Sequence, residues 1–295
     1  MVKRAAVFGS GGQLGLELTS EFSSRGYDVA CFERASVDIA DAAAVETAIS
    51  RYDPDIVINA AAYNQVDVAE QEPAAAFQIN ALGVRNLAVA CRNADALLVH
   101  FSTDYVFDGT AGQAYREEDP TRPLGAYAVS KLAGEQYARA YLDRALIIRT
   151  SGVYGPGGLS TARGNFVELM LRLAAGGQPI RVVEDHVASP TYAPALASRT
   201  ADLVEKNVYG VLHVGGGTPI SWYDWAAKIF AAAGLEPRLK PTNEREFRTA
   251  ARRPKYSALS NGKMEALGIA PMPGLDQAIA EYLKARAGRL AQKLN

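Results

Sequence analysis

Two short segments of this 295-residue chain carry side chains able to deliver a proton to a carbonyl oxygen. The first is Ser102-Thr103-Asp104-Tyr105-Val106-Phe107-Asp108-Gly109, at the end of an apolar run, and the second is Tyr127-Ala128-Val129-Ser130-Lys131. Tyrosine and lysine four apart share one helical face, so an ammonium beside the phenol can stabilise its anion. Tyr127 is therefore a candidate proton donor near neutral pH. Thr103, closing the strand signal at 97–102, can hydrogen-bond the same substrate oxygen. These three groups suit carbonyl reduction with neither metal nor histidine. A Tyr-x-x-x-Lys spacing alone is common on surface helices, so its weight comes from what surrounds it.

The surroundings are alternating strands and helices. Residues 2–8 are apolar and run into Gly9-Ser10-Gly11-Gly12-Gln13-Leu14-Gly15, after which Leu16, Leu18 and Phe22 continue a helical pattern. Strand, glycine turn and helix open a dinucleotide-binding fold: backbone N–H groups at a helix start can hold a pyrophosphate. Strands at 28–32, 55–59, 97–102 and 146–150, with helices at 41–51, 73–93 and 126–143, predict a parallel sheet with right-handed crossovers. The fold class expected is α/β, a Rossmann-type doubly wound parallel sheet over residues 1–150. A smaller, discontinuous substrate-binding lobe over 151–295 returns some segments to the core. Its elements are the glycine-rich stretch from Gly155 to Gly164, helices at 165–175, 193–204, 222–233 and 275–287, and strands at 180–183 and 211–214.

Glu33 ends the second strand, where a carboxylate can bind an adenosine ribose and favour NADH, while Arg34 beside it can pair with a 2′-phosphate and favour NADPH. Asp38 and Ile39 lie where an adenine pocket would be, although an aspartate there also suits a helix cap. After the third strand, Asn59-Ala60-Ala61-Ala62-Tyr63 offers small side chains where a cofactor would cross the sheet, or an ordinary packing contact. Asp67 and Glu70 are expected to flank the next helix.

Composition narrows the class. With 48% hydrophobic and 21% charged residues the chain can bury a large core, and a net charge of −1 without basic runs gives no footprint for nucleic acid or an anionic membrane. The N-terminal apolar run stops at Gly9, too short for a signal-peptide core, so a cytoplasmic protein is expected. Cys31 and Cys91 imply no disulfide framework, and His100, His186 and His213 lack the spacing of a metal pair, so no metal is expected.

These features resemble the extended short-chain dehydrogenase/reductases. The glycine turn, Asn59 to Tyr63 with Val66-Asp67 and Glu70, Ser102 to Gly109, Tyr127 to Lys131, Ser189-Pro190-Thr191, Ser221-Trp222-Tyr223 and Arg253-Pro254 together are similar to the dTDP-4-dehydrorhamnose reductase family. The resemblance implies a nucleotide-sugar substrate, NADPH or NADH as hydride source, and Thr103, Tyr127 and Lys131 as catalytic positions. It also implies cofactor contacts from Gly9, Gly11, Gly12, Gln13, Leu14, Gly15, Glu33, Arg34, Asp38, Ile39, Ala60, Ala61, Ala62, Tyr63 and Ser102, with Tyr127 and Lys131 beside the nicotinamide ribose. Asp104 is expected beside the substrate, with Asn165 and Arg253 toward its diphosphate or sugar. Gly152 stands where that family usually carries a tryptophan, which implies a reshaped substrate pocket, and Ala188 stands where a glycine is common. A sugar-nucleotide epimerase or dehydratase is an alternative, weakened because Tyr105 and not glutamate follows Asp104. A non-catalytic subunit resembling the regulatory subunit of methionine adenosyltransferase is another. No exposed apolar helix pair marks a homodimer interface, and no acidic ligand set for an interfacial magnesium is found.

Overall fold

Strands whose residues are apolar on both faces need cover on both sides, and this chain supplies it. The computed structural model describes residues 2–161 and 164–294; residues 162 and 163 of the Gly155 to Gly164 stretch, and both terminal residues, lie outside the described residues. In chain order come β1 (Arg4–Phe8), α1 (Gln13–Ser24), β2 (Asp28–Phe32), α2 (Ala42–Tyr52), β3 (Ile56–Asn59), α3 (Pro73–Phe77), α4 (Val84–Asn93), β4 (Leu97–Thr103), α5 (Ala126–Tyr141) and β5 (Ala145–Thr150). Then follow α6 (Phe166–Ala175), β6 (Ile180–Val183), β7 (Val187–Ala188), α7 (Ala193–Glu205), β8 (Gly210–His213), β9 (Ile220–Ser221), α8 (Trp222–Ala232), β10 (Leu239–Thr242), α9 (Gly262–Ala266) and α10 (Leu275–Leu294). Among the described residues no helix is long and apolar enough to cross a membrane.

Six strands form a parallel sheet in the order β2-β1-β3-β4-β5-β8. Every residue of β3, β4 and β5 is buried, as helices on both faces of a parallel sheet require. Side chains alternate between two cores. Ala5, Val7, Ile56, Ile58, Leu97, Val99, Leu146 and Ile148 face α1 and α7, while Ala6, Phe8, Val57, Leu98, Ala145 and Ile147 face α2, α4 and α5. A third core joins α6, α8 and α10 through Trp225, Tyr154 and Tyr282, with Phe166 stacked on Trp225 at 4.6 Å. Two short sheets, β6 with β10 and β7 with β9, lie outside the six-stranded one.

The helix expected over 73–93 is not regular throughout. Between α3 and α4 the turns at Gln78–Gly83 widen to a π-helical form. The cause is tertiary: the Asn80 amide exchanges hydrogen bonds with the Tyr63 backbone, accepting from N and donating to O at 2.9 Å each, and donates to Ser130 Oγ at 2.9 Å. Helix α5 lies so close to this turn that a Cβ on Gly134 would sit 2.2 Å from the Asn80 carbonyl oxygen. Gly134→Ala is therefore expected to lower stability by about 2 kcal/mol despite its better helix propensity, because main chain must move to admit the methyl group. Urea unfolding, read as a fall in midpoint at unchanged slope, checks this.

Candidate active site

The strand order reverses between β1 and β3, and a cleft of about 680 Å³ opens there, outside the C-terminal ends of β1, β3, β4 and β5. Gly9, Gly11, Gly12, Gln13 and Leu14 line one end of it. Gly9 has φ +76°, and a Cβ on it would lie 2.6 Å from Ala61 N, so the turn after β1 and the segment after β3 meet main chain to main chain. Gly15 lies behind the turn, where a Cβ would be 2.1 Å from the Gly9 carbonyl oxygen; it allows close packing and does not line the cleft. Helix α1 has no side-chain cap at its start, leaving its first N–H groups toward the cleft.

Glu33, Arg34, Asp38 and Ile39 line the same end. The Glu33 carboxylate sits over Gly11, 3.0 Å from where a Cβ would be. Arg34 is 84% exposed and pairs with Asp38 at 3.3 Å, while Asp38 also accepts from Ala40 N at 2.9 Å. Ala60, Ala61, Ala62 and Tyr63 form the wall beyond β3.

At the other end α5 brings Tyr127 and Lys131 opposite the end of β4. Its start is held by Glu70, whose Oε1 accepts from Ala126 N at 2.7 Å. This carboxylate, expected to flank the next helix, instead serves one much farther along the chain. The Tyr127 phenol lies beside the Thr103 hydroxyl, and Thr103 Oγ1 donates to Asp104 Oδ1 at 3.1 Å while accepting from Tyr105 N at 3.2 Å. Burial pushes the phenol up to about 12, the Thr103 hydrogen bond works against that, and the Asp104 charge adds to it. Lys131 is buried, and its Nζ donates to the Phe101 carbonyl at 2.6 Å. Burial lowers its ammonium to about 8, with Glu135 pulling the other way. In this structure the hydrogen bond of the ammonium runs to the main chain of β4, with Tyr127 one turn before it on the same face of α5.

Three other candidates have partners of their own. Asp104 lines the cleft floor, yet its oxygens receive Thr103, Ser151 Oγ at 2.8 Å and Ser257 Oγ at 2.5 Å, so it acts from behind Thr103. Asn165 is off the cleft wall: it caps α6 by accepting from Glu168 N, and its amide donates to Gln13 Oε1 at 2.8 Å and Gly155 O at 3.1 Å. Arg253 is also off the wall, forked on Asp67 at 3.0 and 2.7 Å. The Ser102 hydroxyl is taken by Glu135 Oε1 at 2.5 Å, which leaves only its main chain for a ligand. Gly152 does line the cleft, in the left-handed region at φ +50°. A Cβ there would stand 3.4 Å from Pro190 Cα and 3.9 Å from the Trp222 ring, so this backbone is poorly suited to a large side chain. Asn80, Ser130, Glu135, Arg149, Ser151 and Ser257 were not anticipated. A charged Arg149 within the apolar run 145–150 was the one local signal among them.

The family described as RmlD substrate binding domain matches residues 3–287. The chain belongs to this family. It is 40% identical over 284 residues to the spore coat polysaccharide biosynthesis protein SpsK of Bacillus subtilis, covering 96% of this chain and 98% of that one. It is 40% identical over 291 residues to dTDP-4-dehydrorhamnose reductase of Mycobacterium tuberculosis, covering 97% and 94%. Among solved structures, dTDP-4-dehydrorhamnose reductase from Bacillus anthracis in complex with NADP aligns with a TM-score of 0.91 at 36% identity, covering 96% of this chain and 99% of that chain. Within this RmlD-type chain the electrostatics of Asp104 are testable. Burial pushes its carboxyl up to about 6, against the pull of Ser257, Ser151 and Thr103. The native state then binds more protons than the unfolded chain between the ordinary carboxylate range and about pH 6, so stability falls as pH rises through that window. Asp104→Asn removes the charge but keeps an acceptor for Thr103. It is expected to stabilise the fold by about 3 kcal/mol at pH 8, with the gain fading toward pH 4, as urea titrations across pH will show.

Proposed function

We propose that this chain uses NADPH or NADH to reduce the C4 ketone of a nucleotide-linked 6-deoxy-4-ketohexose, with dTDP-4-dehydro-L-rhamnose going to dTDP-L-rhamnose. The observation that carries the reading is the Thr103–Tyr127 hydroxyl pair. It faces the same cleft as the glycine turn, in a chain alike over nearly its full length to dTDP-4-dehydrorhamnose reductases. The cleft fits a dinucleotide: its glycine turn leaves open the space a Cβ would fill, above an uncapped helix start suited to a pyrophosphate. Glu33 would hold the adenosine ribose, Ala60 to Ala62 leave room for the cofactor to cross the sheet, and Lys131 would hold the nicotinamide ribose. When bound there, the nicotinamide supplies the hydride that adds to the carbonyl carbon.

The chain supplies the proton and the geometry. Tyr127 gives its phenolic proton to the carbonyl oxygen, and Thr103, beside that phenol and facing the same cleft, turns its hydroxyl proton from Asp104 to the carbonyl oxygen and polarises it. Lys131, an ammonium with three donors of which Phe101 takes one, offers the others to the ribose and to the phenolate that forms. Dehydration would need a free acid beside the catalytic threonine. Asp104 is committed to three hydroxyls and Tyr105 is no acid at this pH, which supports net reduction. The intact Thr103, Tyr127 and Lys131 set supports catalysis over a purely regulatory subunit. We place the protein in the cytoplasm, and a homodimer is the assembly we would look for first.

Tyr127→Phe is expected to lower turnover by about 10²–10⁴-fold while reduced-cofactor binding stays intact. The check follows near-ultraviolet absorbance of the cofactor with dTDP-4-dehydro-L-rhamnose formed in the cuvette; wild-type turnover in the variant would exclude Tyr127 as the donor. Arg34, paired with Asp38 at the rim of the cleft, favours NADPH without excluding NADH. Arg34→Ala should raise the KM for NADPH several-fold more than that for NADH in the same assay.

A further inference from the structure

Below the catalytic hydroxyls lies a buried ion pair, Glu135 with Arg149, whose two members do not line the cleft. Tyr127, Lys131 and Glu135 follow one another at intervals of four along a single face of α5. Glu135 is wholly buried, and Arg149 of β5 is 4% exposed. They form a two-point pair, Nε to Oε1 at 3.0 Å and Nη2 to Oε2 at 2.8 Å, and Ser102 Oγ of β4 donates to the same Oε1 at 2.5 Å. The guanidinium also lies over the Phe107 ring, 5.2 Å from its centre. One turn before Glu135, Lys131 reaches the carbonyl of Phe101, the residue preceding Ser102 on β4.

A buried ion pair is a weak source of stability, since apolar side chains of similar size fill the same space as well or better. The position of this pair calls for another account. We propose that Glu135 is a positioning residue for the reduction described above: pinned by Arg149 and Ser102, it fixes the Tyr127–Lys131 face of α5 against β4 and supplies the negative charge that keeps Lys131 an ammonium. The inference rests on the reductase reading only for its turnover readout.

The groups facing Lys131 are few. On β4 stands His100, which burial and the lysine itself keep neutral by lowering it well below its ordinary value. Glu135 and Tyr127 face it from α5, and Arg149 stands behind Glu135 from β5. Among the described residues Glu135 is the carboxylate acting on Lys131, and it opposes the burial that brings the ammonium down to about 8. Sign and window follow. Functions that need charged Lys131 weaken as pH rises through about 8, and without the Glu135 charge they weaken at lower pH.

The test uses the full chain and two readouts: the pH dependence of kcat/KM with the keto sugar, and the pH dependence of NADPH binding followed by the cofactor's own fluorescence. Glu135→Gln leaves Arg149 buried and alone, which threatens folding. The double variant Glu135→Gln/Arg149→Met leaves no lone buried charge and carries the test if the single variant unfolds. Expected is an alkaline limb displaced to lower pH in both readouts, by about one pH unit in Glu135→Gln and by less in the double variant, which loses a positive charge as well, in each case with a thermal transition that remains cooperative. Glu135→Asp, which keeps the charge, should restore the limb toward its wild-type position even where it lowers kcat. An unmoved limb in the folded double variant, or a limb displaced equally by Glu135→Asp, would overturn the proposal and leave a packing role alone. NADPH binding needs no keto sugar. If the wild type turned over no keto sugar, the binding profile would still report on Glu135, and the two readings would fail separately.

Discussion

Helix α5 reaches the ends of β4 and β5 because Gly134 lets it lie against the Asn80 carbonyl. Everything chemical in this protein hangs on that approach. With α5 at this depth Lys131 meets the Phe101 carbonyl, Glu135 meets Arg149 and Ser102, and Tyr127 meets Thr103. A Cβ at position 134 separates the helix from the widened turn and moves each of these contacts together. The glycine is thus a constraint on the cleft expressed as packing.

The same depth makes the site electrostatically costly. A phenol raised to about 12, an ammonium lowered to about 8 and a carboxyl raised to about 6 are three groups held where their charged forms are disfavoured. Such a site stores destabilisation that the rest of the fold offsets through its three apolar cores. Hydroxyl donors limit the damage: Ser151, Ser257 and Thr103 surround Asp104, and Ser102 assists Arg149 at Glu135.

Local patterns made much of this legible. The apolar runs, the glycine turn and the four-residue spacing of Tyr127 and Lys131 are short-range signals, and they locate the parallel sheet and bring both side chains to one cleft with Thr103. What stayed hidden depends on partners distant in the chain. Arg253 looks like a ligand contact until Asp67, 186 positions earlier, is seen to occupy its fork. Asp104 lines the cleft as its place after Thr103 suggests, but its bond from Ser257, 153 positions later, has no local sign. The π-helical turn arises from hydrogen bonds of Asn80 to Tyr63 and Ser130, which no helical period announces. Strands of two residues, β7 and β9, are too short to carry an alternation at all.

Strand β8 pairs with β5, setting Arg149 opposite His213. During synthesis β5 therefore emerges long before the strand that covers its outer edge, with α6, α7 and the short strands between them still to come. An apolar strand waiting with one edge open is a site for wrong pairing, with a second nascent chain or with a segment of this one. Cutting the chain after β5 would leave that edge without the strand that covers it.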